Sequence, residues 1–186
     1  MNIISRTGTQ IVTLEEAKHN SRVTTTAEDS NFDLWLDIAH EHVEDFTNTV
    51  LEQSQCENIT YSDEFNLNAP VRGLISVTTV DNDGVETDTT DYTLTKTHDF
   101  GLKIKLDSCP ENYAYVRYVA GFGDYSVSGA EVGINTGTIQ AYSQLKSAIL
   151  LLTNHFYENR GIVSDFSKYE LPFSIKNLMY SKKKYL

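Results

Sequence analysis

The sequence predicts an α+β fold: a small helical bundle with an inserted antiparallel β-sheet or hairpin region and an extended C-terminal segment. Residues 28–52 and 138–160 carry apolar residues at three- and four-residue steps, which is the period of an amphipathic helix. From about residue 58 to 122 the period falls to two, and Thr, Val and Tyr become frequent, as in strands. Beyond Gly161 the chain is apolar and ends in a lysine run.

Local signals predict where the helices begin and end. Thr13-Leu14-Glu15-Glu16 has the spacing of a capping box, which predicts a short helix over about 14–19. A helix over about 28–52 is predicted by one apolar stripe: Phe32, Trp35, Leu36, Ala39, Val43, Phe46 and Val50. A helix over about 138–160 is predicted by another: Ile139, Tyr142, Leu145, Ala148, Ile149, Leu152 and Phe156.

The middle of the chain predicts a small antiparallel sheet. Leu102, Ile104 and Leu106 alternate with polar residues, as in a strand with one buried face. The run Asp81-Asn82-Asp83-Gly84 supplies the left-handed positions that a tight hairpin requires. With 40% apolar residues, the chain up to residue 160 is expected to form a single domain.

Charge is unevenly distributed along the sequence. The formal net charge is −11, and no Lys or Arg lies between Arg22 and Arg72. Within that stretch we expect a subunit–subunit surface formed by the acids of the second helix: Asp33, Asp37, Glu41, Glu44 and Asp45. Lysines dominate beyond Gly161, so an acidic flank packed against the basic tail of another copy is one interpretation. Two solvated faces are the alternative.

The composition also argues against several partners. A negatively charged protein repels the phosphate backbone, so general binding to nucleic acid is not expected. The longest apolar run, Ala148–Leu152, is too short to cross a bilayer, so no membrane partner is expected. Because the first residues lack a signal-peptide core, we expect synthesis in the cytoplasm with Cys56 and Cys109 reduced.

Catalytic motifs are incomplete, and no cofactor is predicted. His40, His42 and Glu44 are the best candidates for a metal-dependent hydrolase, but the second His of the zinc-protease motif is missing. We expect both histidines at the solvent boundary of the helix. A ligand-binding module that uses Tyr113, Tyr115 and Tyr118 is another alternative, although tyrosines buried in a small sheet are the ordinary explanation.

Several segments together resemble the head-tail connector family of tailed phages, also called adaptor or head-completion proteins. They are Thr13–Lys18 with Arg22-Val23, the strand and turn Gly73–Gly84, Val116–Gly123, Ala148–Gly161 and Leu171–Ile175. One stretch departs from the family. After the Ala-Gly-Phe-Gly motif the family has a short Val-Pro connection, whereas Asp124–Gly137 is longer and contains no proline.

The resemblance implies a structural virion protein of the neck, assembled in the host cytoplasm. Copies of it would form a ring, a dodecamer of about twelve subunits, below the portal protein. The ring would link the capsid to the tail or to a stopper or tail-completion protein, and DNA would pass through its channel without specific binding.

The resemblance also implies that residues 161–186 form a tail that docks on the portal. The predicted docking residues are its apolar and basic side chains: Phe166, Tyr169, Leu171, Phe173, Ile175, Leu178, Met179, Lys182, Lys183, Lys184, Tyr185 and Leu186. The alternative is a last helix packed on its own subunit. Within virions, a tail-completion or tail-terminator ring subunit is the rival interpretation.

Overall fold

The computed structural model describes residues 2–68, 70–126, 132–159 and 173–183, and it confirms the α+β class. The helices are α1 (Leu14–Asn20), α2 (Asp29–Thr47), α3 (Ser143–Glu158) and α4 (Phe173–Tyr180). The strands are β1 (Asn2–Arg6), β2 (Ser54–Thr60), β3 (Glu64–Leu67), β4 (Val71–Val80), β5 (Glu86–Asp88), β6 (Tyr92–Lys96), β7 (Leu102–Leu106), β8 (Tyr113–Ala120), β9 (Gly123–Tyr125), β10 (Val132–Gly133) and β11 (Gly137–Ile139).

The chain divides into two compact units. The β unit contains the described residues of 2–9 and 49–140, and the helical unit contains those of 10–48 and 141–183. The β unit is thus inserted between α2 and α3, as the change of hydrophobic period predicts. Helix α4 clusters with the helical unit. The described part of the predicted docking tail therefore belongs to a folded unit.

The helices of the helical unit begin and end for identifiable local reasons. At the start of α1 the Thr13 hydroxyl accepts from the Glu16 amide, and the Glu16 carboxylate accepts from the Thr13 amide, which confirms the capping box. Helix α2 ends at Thr47 and not at the predicted residue 52, because Asn48 adopts the left-handed conformation (φ 53°). Helix α3 begins at Ser143 and not near residue 138, because residues 137–139 pair with β9 as strand β11.

The described residues of the β unit form three antiparallel sheets: the pair β9–β11 and two larger sheets that share one hydrophobic core. The larger sheet has the order β1-β2-β8-β4-β10, with β5 also paired to β4, and the smaller sheet has the order β3-β7-β6. Val116 and Tyr118 of the larger sheet and Leu102 and Ile104 of the smaller sheet are buried in the same cluster. The predicted β region of about 58–122 is too short, because β1, β2 and β9–β11 lie partly or wholly outside it. Their partners are distant in sequence, so local periodicity does not reveal them.

The Ala-Gly-Phe-Gly motif at the end of β8 is explained by close backbone packing. Gly121 has a φ of +126°, and a Cβ atom there would overlap the backbone of Glu52 and Gln53. Its amide donates to the Pro70 carbonyl at 2.9 Å. A side chain at this position is therefore excluded both by the conformation and by the space available.

Candidate interaction surfaces

The outward face of α2 is acidic along its length. The helix buries Phe32, Leu36, Ala39 and Val43 on one side. On the other side Asp33, Asp37, Glu41 and Asp45 follow one another at four-residue steps, and all four are exposed. Side chains four residues apart are neighbours on a helix, so these carboxylates form one continuous negative stripe.

This acidic stripe is electrostatically unfavourable in the isolated subunit. Within the described part of the chain none of the four carboxylates has an ion pair, although Gln10 donates a hydrogen bond to Asp37. Like charges at this spacing destabilise a helix by about 0.2–0.5 kcal/mol per pair. A cationic partner would remove that cost.

Two large apolar side chains lie within the same outward face. Leu34 is 56% exposed and Ile38 is 42% exposed. The helical rotation of 100° per residue places them next to Glu41 and Asp45. Sequence analysis missed both residues, although the signal was present: they fall outside the apolar stripe that α2 buries. The combination of apolar and acidic side chains is typical of a surface that another protein covers.

One predicted interface residue of α2 is buried in the subunit. Glu44 follows Glu41 by three residues and so lies beside the stripe, but tertiary packing leaves it only 6% exposed. His40 is 3% exposed, which also corrects its predicted place at the solvent boundary, whereas His42 is half-buried. Among the described residues no group of three or more His, Cys, Asp or Glu side chains could hold a metal ion.

Helix α4 packs on its own helical unit through one side. Ile175 and Met179, four residues apart, are both buried, and the Tyr180 ring makes an edge-on contact with Phe46 at 5.0 Å. The side chains of Ile175 and Met179 thus already lie in the core of the subunit, and portal docking by this segment stays a prediction. Leu178 is half-buried.

The lysines after α4 also contact their own subunit. The Lys182 ammonium lies 4.1 Å from the centroid of the Tyr142 ring, and that of Lys183 lies 4.9 Å from the centroid of Phe46. Both are cation–π contacts. The other predicted docking residues lie outside the described residues: Phe166, Tyr169, Leu171, Lys184, Tyr185 and Leu186.

The opposite side of α4 faces outward. Phe173 is 77% exposed, and Tyr180 remains 55% exposed although its ring also contacts Phe46. Lys176 is half-buried and Asn177 is exposed. These positions follow the steps i, i+3, i+4 and i+7, so they share one face of the helix. The face combines aromatic rings with a positive charge.

The outward face of the larger sheet has its charges matched within the sheet. Arg117 on β8 pairs with Glu57 directly opposite on β2 at 3.0 Å, and this carboxylate raises the pKa of Arg117. The Tyr115 hydroxyl donates to Glu86 at 2.7 Å, and this hydrogen bond raises the pKa of Tyr115. Each group has its partner inside the β unit.

The tyrosine-based ligand site is not assembled as expected. Tyr118 points into the core, and its burial raises the pKa of its hydroxyl, whereas Tyr113 and Tyr115 are half-buried on the other face. A pocket of about 220 Å³ lies at the β4–β5 hairpin, lined among others by Asp81, Val85, Cys109 and Glu111. None of the three tyrosines lines it.

None of the described helices is long and apolar enough to span a lipid bilayer.

Comparison with solved structures finds this fold along the whole chain. A chain from the neck of an empty gene transfer agent particle, computed with C6 symmetry, has a TM-score of 0.71 at 20% identity, over 100% of this chain and 97% of that chain. A chain from the virion of a native gene transfer agent has a TM-score of 0.71 at 20% identity, over 100% and 95%. A chain from a native neck, computed with C12 symmetry, has a TM-score of 0.60 at 18% identity, over 98% and 97%.

No protein-family model and no curated protein matches the sequence. The comparisons therefore show the fold, which is that of chains in gene transfer agent particles.

Proposed function

We propose that this chain is a structural, non-catalytic subunit of a virion neck: a head-tail connector that forms a ring on the portal protein and links the capsid to the tail. The observation that carries the proposal is the fold similarity to chains in necks of gene transfer agents, which extends over at least 98% of this chain and 97% of those chains. Both units are included in the match, so the proposal does not rest on one common motif.

The surface of the protein supports a ring of identical copies. Two of the similar structures described above were computed with C6 and C12 symmetry. In such a ring each subunit uses two different surfaces, one toward each neighbour. Helix α2 offers the four exposed acids of its stripe for one of these contacts. The net charge of −11 also suits a channel through which DNA passes without specific binding.

Portal docking by the C-terminal segment is proposed for a reduced set of residues. Ile175 and Met179 are buried in the subunit, and Lys182 and Lys183 lie over its own aromatic rings. The docking role is therefore proposed for the residues on either side: Phe166, Tyr169, Leu171, Lys184, Tyr185 and Leu186. Many weak tails acting at once would give high avidity, because binding of the first holds the others at high local concentration.

Co-expression with the portal protein of the same virion tests the ring. We expect a stable complex on size-exclusion chromatography and rings of this chain on the portal by electron microscopy. A parallel pull-down with the tail tube protein tests the rival tail-terminator role. Capture by the tube and not by the portal would contradict the proposal.

A short truncation tests the docking role. Removing residues 171–186 is unsuitable, because it would also expose the core that Ile175 and Met179 fill. Deletion of Lys184–Leu186 removes no residue of α4, so we expect normal stability and weaker portal binding. Tyr61→Ala, which removes a 73% exposed tyrosine of the β unit, is the matched control and should bind normally. Equal portal binding by the truncated chain, Tyr61→Ala and the wild type would contradict the role of the last three residues.

A further inference from the structure

We propose that the outward face of α2 in one copy binds the outward face of α4 in the next copy, through Leu34, Ile38, Asp37 and Glu41 on one side and Phe173, Lys176 and Tyr180 on the other. This inference rests on the proposed ring, and it names the contact that would hold neighbouring subunits together.

The two faces are complementary in both charge and polarity. The α2 face presents carboxylates around Leu34 and Ile38, and the α4 face combines half-buried Lys176 with the exposed aromatic residues Phe173 and Tyr180. Pairing them would cover exposed apolar surface and neutralise part of the acidic stripe. Opposite potentials across a contact also select the correct partner, since like charges facing each other are costly.

The two faces are not joined within one subunit. The C-terminal end of α4 contacts the C-terminal end of α2, where the Tyr180 ring packs on Phe46. At 1.5 Å per residue, Leu34 lies about 18 Å from Phe46 along the helix axis. Leu34, Ile38 and Phe173 all remain exposed in the single chain. Two different complementary faces on one subunit are suited to a head-to-tail contact, which closes into a ring when the rotation permits.

Lys176 is a better counter-charge than the lysines that follow α4. The ammonium groups of Lys182 and Lys183 are held over Tyr142 and Phe46 of their own subunit. No ion pair of Lys176 is found among the described residues. Its helical spacing from Phe173 and Tyr180 puts Lys176 on the same face as these two aromatic residues.

Charge reversal in the full-length chain tests the contact. Self-association is measured by sedimentation velocity over a concentration series, alone and with the portal protein. Asp37→Lys and Lys176→Glu should each weaken association about tenfold, because each places like charges across the contact. The double variant Asp37→Lys with Lys176→Glu should recover most of the association, since every interface again joins opposite charges. Asp107→Lys, an exposed reversal on the β unit, is the matched control and should associate like the wild type.

Cross-linking tests the register directly. In a Cys109→Ser background, which removes the exposed native thiol, a Leu34→Cys chain mixed with a Phe173→Cys chain should form a disulfide-linked heterodimer under mild oxidation. A Phe100→Cys chain, altered at an exposed residue of the β unit, should not cross-link to the Leu34→Cys chain.

The outcomes separate this inference from the proposed function. Rings that form on the portal equally well with both single reversals, and without the cross-link, would overturn the α2–α4 contact and leave the connector role standing. A chain that self-associates with the predicted rescue but does not bind the portal would support the contact and contradict the connector role. Loss of association without rescue in the double variant also counts against the contact.

Discussion

The outward faces of strand β8 and helix α2 both carry charged side chains, but they differ in whether those side chains have partners in the same subunit. On β8 the Arg117 guanidinium meets Glu57 at 3.0 Å, and Tyr115 donates to Glu86. On α2 four exposed carboxylates succeed one another, and the described residues offer them no ion pair. Arg117, Glu57 and Glu86 of the sheet thus have partners within the subunit, whereas the described residues provide no counter-charge for the α2 carboxylates.

This difference distinguishes a surface that stabilises its own unit from one that is suited to binding another molecule. Cross-strand ion pairs contribute to the stability of the sheet that contains them. A stripe of like charges does not stabilise its own helix, so we infer that it serves an interaction with another molecule. Exposed Leu34 and Ile38 form an apolar patch that carboxylates surround, and apolar patches with polar rims are a feature of surfaces that bind other proteins.

The largest expected effect tests whether α4 packs on the helical unit that contains α2. Met179→Ala should lower the free energy of unfolding by about 2–5 kcal/mol, because it leaves a cavity around a fully buried side chain. Phe173→Ala, on the exposed side of the same helix, should change it by less than about 0.5 kcal/mol. Urea denaturation followed by circular dichroism measures both. Equal, small effects would mean that α4 is not packed in solution.

The next effect concerns a buried charge of the β unit. Arg72 has no exposed surface, and its guanidinium donates to the carbonyl of Gly123 at 3.1 Å and to that of Gly137. Burial lowers the pKa of Arg72. These bonds hold strands β9 and β11, so Arg72→Met should lower the free energy of unfolding by about 1–3 kcal/mol, since it leaves two carbonyls without their donor.

Hydrogen exchange locates that effect. In Arg72→Met the amides of residues 123–125 and 137–139 should exchange faster than in the wild type, while those of β2 change little. The control is Lys96→Met, which removes an exposed cation whose ammonium donates to the Ile134 carbonyl at 2.7 Å. Unchanged exchange in β9 and β11 would show that Arg72 does not hold them.

Local signals in the sequence predicted the fold class and the start of α1 well. The capping box at Thr13 involves residues only three positions apart, so its outcome depends little on the rest of the chain. The ends of α2 and α3 were misplaced for the opposite reason. Helix α2 ends because Asn48 is left-handed, although Val50 continues the apolar period. Helix α3 begins late because residues 137–139 pair with the strand that begins at Gly123.

The candidate surfaces could be predicted only in part. The exposed acids Asp33, Asp37, Glu41 and Asp45 could be identified from their spacing, but burial of Glu44 depends on tertiary packing and could not. The apolar residues after Pro172 were interpreted as one docking surface. In the structure the four-residue step between Ile175 and Met179 divides them into a buried and an exposed side.

A smaller effect concerns pH and the cap of α1. The Glu16 carboxylate accepts from Lys146 at 2.7 Å and from the Thr13 amide at 3.0 Å, and these bonds lower the pKa of Glu16 below its ordinary value of 4.5. A lowered pKa in the folded state adds stability above about pH 4.5 that is lost as the pH falls through the folded pKa. For an exposed pair the contribution is about 0.2–1 kcal/mol.

Glu16→Gln isolates the charge, because glutamine also fits the capping box. The wild type should be more stable than this variant at pH 7, and the difference should shrink as the pH falls below about 4.5. Urea midpoints measured from pH 7 to 3 check the prediction. A difference that is constant across this range would mean that the Glu16 charge does not contribute.

The smallest effect compares the two charged surfaces directly. Glu41→Gln removes a carboxylate that is repelled by two like-charged neighbours, Asp37 and Asp45. Each repulsion that is relieved should raise the free energy of unfolding by about 0.2–0.5 kcal/mol. Glu57→Gln removes the partner of Arg117 on the sheet, so it should lower the free energy of unfolding. Both substitutions remove one negative charge, so a general effect of net charge would shift both in the same direction. Opposite signs at low salt that converge at high salt would show that the sheet uses its surface charge for its own stability, while the helix keeps its charge at the expense of stability.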